Sequence, residues 1–240
     1  MRLDKYLQQK FNLKSRTYAE NLVKTDKVIV NGKIASKSSY DVGDLDSVEI
    51  AEDENYASQG AYKLERAFEV FGIDVQDKFC ADIGCSNGGF TDCLLRHGAG
   101  KVLAVDVAEC ALPDSLLQSG RVQFLRANAR ELTDCPFRVD FVCSDLSFIS
   151  LRLVLNSINS IMNENSLAVV LVKPQFELDK SALNKNGIVI DEKMRKRAVE
   201  NVKSYAVQSG FDVLGETQSP IRYANKNVEY LLLLQKRSAM

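Results

Sequence analysis

Charged side chains stand among apolar stretches in the second half of this 240-residue sequence. Asp145 and Lys173 each follow a run of apolar residues, and Glu229 lies inside another. Charged groups are rarely buried without partners, so a shared site would account for all three. Together with Lys63, which lies on an expected helix, they form an alternating set of two cations and two anions.

Such a set suits the transfer of a methyl group to a ribose hydroxyl. The hydroxyl is a weak nucleophile and must lose its proton as it attacks a sulfonium methyl group in line. A lysine can accept that proton if burial or a neighbouring cation lowers its pKa from about 10.4 toward neutrality. We predict Lys173 as the general base and Lys63 as the neighbouring cation, with Asp145 and Glu229 orienting the lysines and the substrate. Surface lysines and structural salt bridges are the alternative interpretation.

A glycine-rich turn follows the first expected strand of this half. Gly84, Gly88 and Gly89 let the backbone turn sharply and approach a ligand that a side chain would exclude. The spacing D-x-G-x-x-x-G-G lacks the second glycine of the dinucleotide fingerprint, which disfavours a pyrophosphate ligand. Asp106 ends the next strand, about 24 positions after Asp82, where a carboxylate can accept hydrogen bonds from ribose hydroxyls.

Asn128 follows a third strand, at the edge where open sheets of this class bind ligands. Its side-chain amide can pair with the edge of an adenine ring. A tight turn without a ligand, followed by a helix-capping aspartate, is the alternative. The residues predicted to bind the cofactor are Asp82, Gly84, Ser86, Gly88, Gly89, Phe90, Asp106, Asn128 and Asp145.

Cysteine and histidine usage argues against several other chemistries. The six cysteines contain no C-x-x-C pair, and His97 is the only histidine, so we expect no metal and no disulfide framework. A single histidine also leaves little room for a Ser-His-Asp or Cys-His site. We expect His97 to lie at the end of a helix, near the negative end of its dipole.

The elements that must position these residues alternate between helix and strand from residue 61 onward. Alternation of this kind predicts an α/β domain with a mostly parallel sheet covered by helices on both faces. The last two strands have no obvious helix between them, which indicates a final antiparallel hairpin. The expected seven strands lie near residues 79–83, 101–105, 121–125, 139–144, 166–172, 211–216 and 228–234, and the clearest helix spans 191–208.

A smaller and more basic segment precedes this domain. Residues 1–37 contain nine basic and three acidic residues, a balance of +6, whereas the whole chain has a net charge of −1. Helical patterns begin the segment, Ser15 is a candidate cap, and Asn31-Gly32 predicts a hairpin turn. We predict an α+β domain over residues 1–55, a linker over 56–62 and the α/β domain over 63–240.

A local positive field of this kind is typical of a protein that binds a polyanion. The RNA-binding residues that we predict are Arg2, Lys5, Arg16, Lys27 and Lys33. No apolar run approaches the roughly 20 residues that a spanning helix needs, and residues 1–10 do not resemble a signal peptide. We therefore expect a cytoplasmic protein without membrane insertion.

Several motifs make the chain resemble the TlyA family, which joins an S-four-type RNA-binding domain to an FtsJ-like methyltransferase. The sequence at 2–7 (RLDKYL), Ser15-Arg16 and the sequence at 28–33 (VIVNGK) match the first domain. The second is matched by DIGCSNGGFTD at 82–92, DLSFISL at 145–151 and KPQFE at 173–177.

The resemblance covers nearly the whole chain and implies a Rossmann-like methyltransferase. It implies 2′-O-methylation of cytidine in ribosomal RNA, within a ribosomal subunit, with S-adenosylmethionine as cofactor. Lys63, Asp145, Lys173 and Glu229 fall where FtsJ-like enzymes carry a Lys-Asp-Lys-Glu tetrad.

Three other functions remain open at this stage. The family name carries a haemolysin association, which would require a spanning segment or a strongly amphipathic basic helix, and the sequence predicts neither. A ribosome-binding or assembly factor could hold the cofactor without turning it over. A nicotinamide dehydrogenase is disfavoured by the glycine spacing.

Overall fold

The structure is a computed structural model that describes residues 1–13, 15–24, 27–50, 56–132, 135–221 and 226–238. The helices are α1 (Leu3–Lys10), α2 (Arg16–Lys24), α3 (Ala61–Phe71), α4 (Gly89–Arg96), α5 (Asp114–Leu117), α6 (Leu155–Ile161), α7 (Pro174–Glu177) and α8 (Glu192–Gln208). The strands are β1 (Val28–Val30), β2 (Lys33–Ile34), β3 (Val48–Ile50), β4 (Phe79–Ile83), β5 (Lys101–Asp106), β6 (Val122–Arg126), β7 (Val139–Ser144), β8 (Met162–Val172), β9 (Phe211–Gln218) and β10 (Tyr230–Lys236).

The chain divides into two compact units, one formed by residues 1–55 with 220–222 and the other by the remainder. In the first unit, α1 and α2 pack over a three-stranded antiparallel sheet of order β2-β1-β3. Leu3 and Leu7, one helical turn apart, are fully buried in its core. The predicted Asn-Gly turn joins β1 to β2, with φ of 52° at Asn31 and 73° at Gly32, as a tight hairpin requires. Ser15 accepts a hydrogen bond from the Tyr18 amide and so caps α2, as predicted.

The second unit contains a seven-stranded sheet, within the described residues, of order β6-β5-β4-β7-β8-β10-β9. Strands β4 to β8 are parallel, and β10 runs antiparallel to both β8 and β9. Apolar side chains are buried on both faces of this sheet. The predicted Rossmann-like α/β fold with a final antiparallel hairpin is therefore confirmed.

Three details differ from the sequence-based expectation. Strand β8 begins at Met162 rather than near residue 166, and Glu229 precedes β10 instead of lying within it. The expected linker over 56–62 belongs to the second unit, because Tyr56 and Ala61 are buried in its core and Ala61 begins α3. Residues 51–55, at the expected end of the first domain, lie outside the described part of the chain.

Candidate active site

The order of the strands brings the predicted site residues to one edge of the large sheet. The chain leaves β4 toward β5 and later returns to the other side of β4 with β7, so the topological switch point lies between β4 and β7. Ligands of open α/β sheets bind at the carboxyl ends of the strands at such a point. Gly84 follows β4 there, and Asp145 follows β7.

The four charged residues of the predicted set meet at this edge. Lys63 Nζ lies 2.9 Å from Asp145 Oδ2 and 2.8 Å from Glu229 Oε2. Lys173 Nζ lies 2.6 Å from Asp145 Oδ1. Cations and anions therefore alternate in the order Glu229, Lys63, Asp145 and Lys173.

Each member of this tetrad is held by a different element. Lys173 follows β8 and Pro174 begins α7, so the lysine stands at the strand end. Because β10 is antiparallel and Tyr230 pairs with Val172, Glu229 emerges beside Lys173 at the same edge. Lys63 comes from the first turn of α3, which packs on the sheet.

Burial and mutual attraction determine the charge states in the tetrad. Burial favours the neutral form of Lys63, but the facing Asp145 and Glu229 carboxylates outweigh it and raise the pKa of Lys63. Burial also favours neutral Asp145, whereas Lys63 and Lys173 hold the pKa of Asp145 below its usual value. Lys63 therefore stays cationic and Asp145 stays anionic at neutral pH.

Sequence reasoning missed several polar residues that support the tetrad. Lys173 Nζ donates a hydrogen bond of 2.8 Å to Ser147 Oγ, which directs the ammonium from a second side. Glu177 accepts hydrogen bonds from Ser150 Oγ at 2.6 Å and from the Leu151 amide at 2.8 Å. The DLSFISL and KPQFE segments thus contact each other. Both match the same family, and this shared match is the sequence signal that could have indicated the contact.

Phe148 is a further residue that sequence reasoning did not single out. Its side chain is 91% exposed, its φ is 65°, and its ring centre lies 5.4 Å from that of Phe176. A positive φ is rare for an aromatic residue and marks a strained turn. The turn presents an aromatic face to solvent one residue after Ser147.

A cavity of about 340 Å³ adjoins the tetrad at the switch point. Volumes of this size are sufficient for a drug-sized ligand. Five of the predicted cofactor residues line it, and all five lie at or just after the ends of neighbouring strands. They are Gly84, Ser86, Asp106, Asn128 and Asp145, together with the apolar Val105, Val107, Leu146 and Ile149.

The polar groups around this cavity fit a nucleoside. Asp106 accepts hydrogen bonds from the Ser86 amide at 2.9 Å and the Ala108 amide at 3.0 Å, which fix its carboxylate while each oxygen retains accepting capacity. Asn128 Oδ1 accepts a hydrogen bond from the Arg130 amide at 3.1 Å. The side-chain nitrogen of Asn128 can therefore donate a hydrogen bond to the base of a nucleoside. Gly84 has a φ of 90°, and a Cβ there would lie 2.9 Å from the Asp145 carbonyl oxygen.

The structure does not bring the other predicted cofactor residues to the cavity lining. Asp82 is fully buried and accepts a hydrogen bond from Thr91 Oγ1 at 2.7 Å, and Phe90 packs in the core. A Cβ on Gly88 would lie 2.8 Å from side-chain atoms of Leu112 and Leu116. A Cβ on Gly89 would lie 3.0 Å from the Ala61 amide nitrogen at the start of α3. These two glycines permit close packing of the loop, and their contact with a cofactor stays a prediction.

The predicted RNA-binding residues lie in the first unit, and two of them share one anchor. Arg2 and Arg16 each donate to Asp4 Oδ2, at 2.7 and 2.9 Å, and the Asp4 side chain is fully buried. These two ion pairs hold the pKa of Asp4 far below its usual value, with burial acting in the opposite direction. Lys5 and Lys33 are exposed, and Lys27 is half-buried.

His97 ends α4, as expected for the only histidine. Its Nε2 lies 2.8 Å from Glu65 Oε1, a contact that the sequence did not predict. Across the described residues, no helix is both long and apolar enough to cross a membrane.

Comparison with known proteins matches both units to family models. Residues 56–236 match the family model described as FtsJ-like methyltransferase, and residues 1–48 match that of the S4 domain. A 16S/23S rRNA (cytidine-2'-O)-methyltransferase TlyA of Mycobacterium tuberculosis is 39% identical over 242 residues, which cover 99% of this chain and 90% of that protein.

Two further relatives extend over nearly the full chain or all of it. Hemolysin A of Brachyspira hyodysenteriae is 37% identical over 235 residues, covering 96% of this chain and 98% of that protein. The solved structure of a Streptococcus thermophilus protein is 34% identical with a TM-score of 0.75, and covers 100% of this chain and 89% of that chain.

Proposed function

Because the chain belongs to the FtsJ-like methyltransferase family and carries an S4 domain, we propose that it methylates the 2′-hydroxyl of a cytidine in ribosomal RNA. The observation that carries the proposal is the Lys63-Asp145-Lys173-Glu229 tetrad, of which Asp145 lines the cavity at the switch point. The names of the relatives described as rRNA (cytidine-2'-O)-methyltransferases are the source of the target nucleoside, cytidine, and of the RNA class.

The cofactor of the proposed reaction is S-adenosylmethionine, which supplies an electrophilic methyl group on a sulfonium centre. Asp106 would accept hydrogen bonds from its ribose hydroxyls, and Asn128 would donate to its adenine ring. Gly84 and Ser86 would contact the amino-acid end, where a side chain at position 84 would meet the Asp145 carbonyl oxygen. The apolar side chains of Val107 and Ile149 suit the faces of an adenine ring.

Within the tetrad, Lys173 is the proposed general base. Glu229 and Asp145 keep Lys63 protonated, so Lys63 provides the fixed positive charge near the attacking oxygen. Asp145 orients both lysines, and Ser147 directs Lys173. Lys173 must first release its own ammonium proton to solvent. The proton of the ribose hydroxyl would then pass to the neutral Lys173 Nζ as the oxygen attacks the methyl group.

The RNA substrate would be bound first through its backbone. Phosphate contacts from Arg2, Lys5, Arg16, Lys27 and Lys33 position RNA without reading its sequence. The target nucleotide must expose its ribose, by extrusion from its helix where it is paired. Phe148 offers an exposed aromatic face on which an unstacked base can lie.

The decisive experiment measures transfer of labelled methyl from S-adenosylmethionine to ribosomal subunits that lack the modification. We expect label at one cytidine and resistance of the following phosphodiester bond to alkali, because the 2′-oxygen is blocked. Lys173→Ala should lower the rate by roughly 10²–10⁴-fold, the usual contribution of a general base. Lys185→Ala, which removes an exposed lysine, is the matched control and should retain the wild-type rate.

Each contrary outcome has a distinct meaning. Equal rates for wild type and Lys173→Ala would remove Lys173 as the base and leave the methyltransferase intact. Binding of S-adenosylmethionine without labelling of either subunit would favour the ribosome-binding factor. Red-cell lysis by the purified protein, without S-adenosylmethionine, would favour the activity that the name of the Brachyspira relative implies.

A further inference from the structure

Three metal-ligating side chains converge outside the candidate active site. Glu65 lies on α3, Cys93 lies on α4, and His97 ends α4 four residues later. Each side chain offers one ligand atom, and these three atoms all lie within 4.8 Å of one another. Because Cys93 and His97 are separated by about one helical turn, they project on the same side of α4.

The separations are close to those of a tetrahedral zinc site. Zinc bonds of about 2.3 Å to sulfur and 2.0–2.2 Å to nitrogen or oxygen place neighbouring ligand atoms about 3.4–3.6 Å apart. Cys93 Sγ lies 3.6 Å from Glu65 Oε1, and His97 Nε2 lies 2.8 Å from the same oxygen. A shift of less than about 1 Å in the Glu65 carboxylate or the His97 ring would open the space for the ion.

The surroundings of the three side chains also suit a bound cation. Cys93 is fully buried, whereas the side chains of Glu65 and His97 are 24% and 37% exposed. An ion would rest on the thiolate with its fourth position toward solvent. The His97 ring packs edge-on against Phe68 at 4.6 Å between centres, which restrains its orientation. Tyr56 donates its hydroxyl to Glu65 Oε1, in the supporting position that partners of metal ligands usually take.

We propose that Glu65, Cys93 and His97 form a binding site for one zinc-class divalent cation, with water as the fourth ligand. Binding displaces the Cys93 thiol proton to solvent and uses neutral His97 and ionised Glu65, so no oxidant or reductant is required. Sulfur, imidazole and carboxylate together favour Zn²⁺, and Co²⁺ as its spectroscopic substitute, over Mg²⁺ or Ca²⁺.

The ion would join α3 to α4. Glu65 is two residues from Lys63 of the tetrad, and α4 begins at Gly89, directly after the glycine loop. The site would therefore act on the positions of these two helices without contacting substrate. The absence of a C-x-x-C pair and the single histidine predicted no metal, and Glu65 stands 28 residues before Cys93, outside any local ligand motif.

The test titrates Co²⁺ into the metal-free full-length protein and records the thiolate-to-cobalt charge-transfer band. We expect one Co²⁺ per chain and displacement of the band by Zn²⁺. Cys93→Ser should abolish the band, while Cys110→Ser, which alters an exposed thiol, should preserve it. Glu65→Gln and His97→Gln should each weaken binding by more than about 100-fold, since even changes to groups that hydrogen-bond to a metal ligand cost about 10–100-fold.

The melting temperature of the protein with and without Zn²⁺ gives an independent test of the site. Zn²⁺ at about 100 times its dissociation constant should raise the melting temperature of the wild type by roughly 5–10 °C. Glu69→Gln changes an exposed carboxylate one turn along α3 and should keep that increase. His97→Gln alters a partly exposed residue and keeps the test valid if Cys93→Ser does not fold. An unchanged melting temperature, or the same band in Cys93→Ser and Cys110→Ser, would overturn the proposal.

Discussion

Asp145 links the two functions of the candidate site at the scale of single residues. Its carboxylate contacts both Lys63 and Lys173, and the residue also lines the cavity proposed for the cofactor. Any change in its position would therefore affect both Lys173, the proposed general base, and the proposed cofactor site. Asp106 has a narrower role, because its carboxylate accepts hydrogen bonds from the Ser86 and Ala108 amides, on the segments that follow β4 and β5.

Asp106→Ala should weaken binding of S-adenosylmethionine by roughly 10–100-fold, because hydrogen bonds to a charged acceptor contribute about 1.5–3 kcal/mol. Isothermal titration of the purified protein measures this affinity directly. Glu109→Ala removes an acidic side chain that is 89% exposed nearby, and should leave the affinity unchanged. Equal affinities for Asp106→Ala and wild type would exclude the ribose contact.

At the scale of elements, the turn between β4 and α4 depends on close backbone packing. Gly84 adopts a φ of 90° and approaches Asp145, whereas Gly120 adopts a φ of 70° with open space around it. Both positions strain an L-residue, but a Cβ would meet a backbone atom only at Gly84. Substitution of Gly120 therefore tests the conformational strain alone, whereas substitution of Gly84 tests the strain together with the steric contact.

Gly120→Ala should lower the free energy of unfolding by about 1–2 kcal/mol, the cost of the left-handed conformation. Gly84→Ala should cost more and should also weaken S-adenosylmethionine binding, because the loop and Asp145 must separate. Thermal melting and cofactor titration of the two variants provide the comparison. Equal destabilisation with intact cofactor binding in both would contradict the steric argument.

The contact between β4 and α4 also makes stability depend on pH. Burial raises the pKa of Asp82 to about 7 from an ordinary value of 3.8, although the Thr91 hydroxyl favours its ionised form. Below pH 3.8 the carboxyl is protonated in both the folded and the unfolded chain. Between that pH and about 7, Asp82 ionises in the unfolded chain but stays protonated in the folded one. The free energy of unfolding therefore falls as the pH rises through this range.

Asp82→Asn keeps an oxygen for the Thr91 hydrogen bond and removes the titration. The variant should therefore gain stability relative to wild type as the pH rises from 5 to 8, by at most about 3 kcal/mol. Melting temperatures across this pH range, with Asp114→Asn as an exposed control, measure the difference. A constant difference between wild type and Asp82→Asn would show that Asp82 does not titrate in this range.

At the scale of the whole molecule, the two compact units divide the work of the proposed function. The first unit carries the basic residues that are predicted to bind RNA, and the second carries the cavity and the tetrad. In the first unit, Asp4 neutralises part of the charge on Arg2 and Arg16, while Lys5 and Lys33 remain exposed. We therefore expect these two lysines to dominate the salt dependence of RNA binding.

Lys5→Ala and Lys33→Ala should each weaken binding to ribosomal RNA and reduce the slope of log K against log salt by about 1. Lys78→Ala is the control, because Lys78 precedes β4 and lies at the amino end of the sheet, away from the proposed site. Filter binding at several salt concentrations gives the slopes. Slopes that match the wild type in both variants would rule out phosphate contacts at Lys5 and Lys33.

The amino-acid sequence by itself determined most helices and strands of this protein and indicated its candidate site residues. Apolar runs and glycine turns predicted the seven strands of the large sheet to within a few residues, because hydrophobic periodicity and turn residues are local properties of the sequence. Asp145 and Lys173 were identifiable as site residues because strand ends of a parallel sheet share one edge. Family motifs added the cofactor and the nucleoside, whose roles here stay proposals.

Only the tertiary structure decided which distant side chains meet. Lys63 and Asp145 are 82 residues apart, and Glu229 reaches them because β10 is inserted antiparallel beside β8. The same holds for Glu65 with Cys93, which belong to different helices. Strand order and helix packing follow from the summed burial of the whole chain, so no local pattern of residues records these contacts.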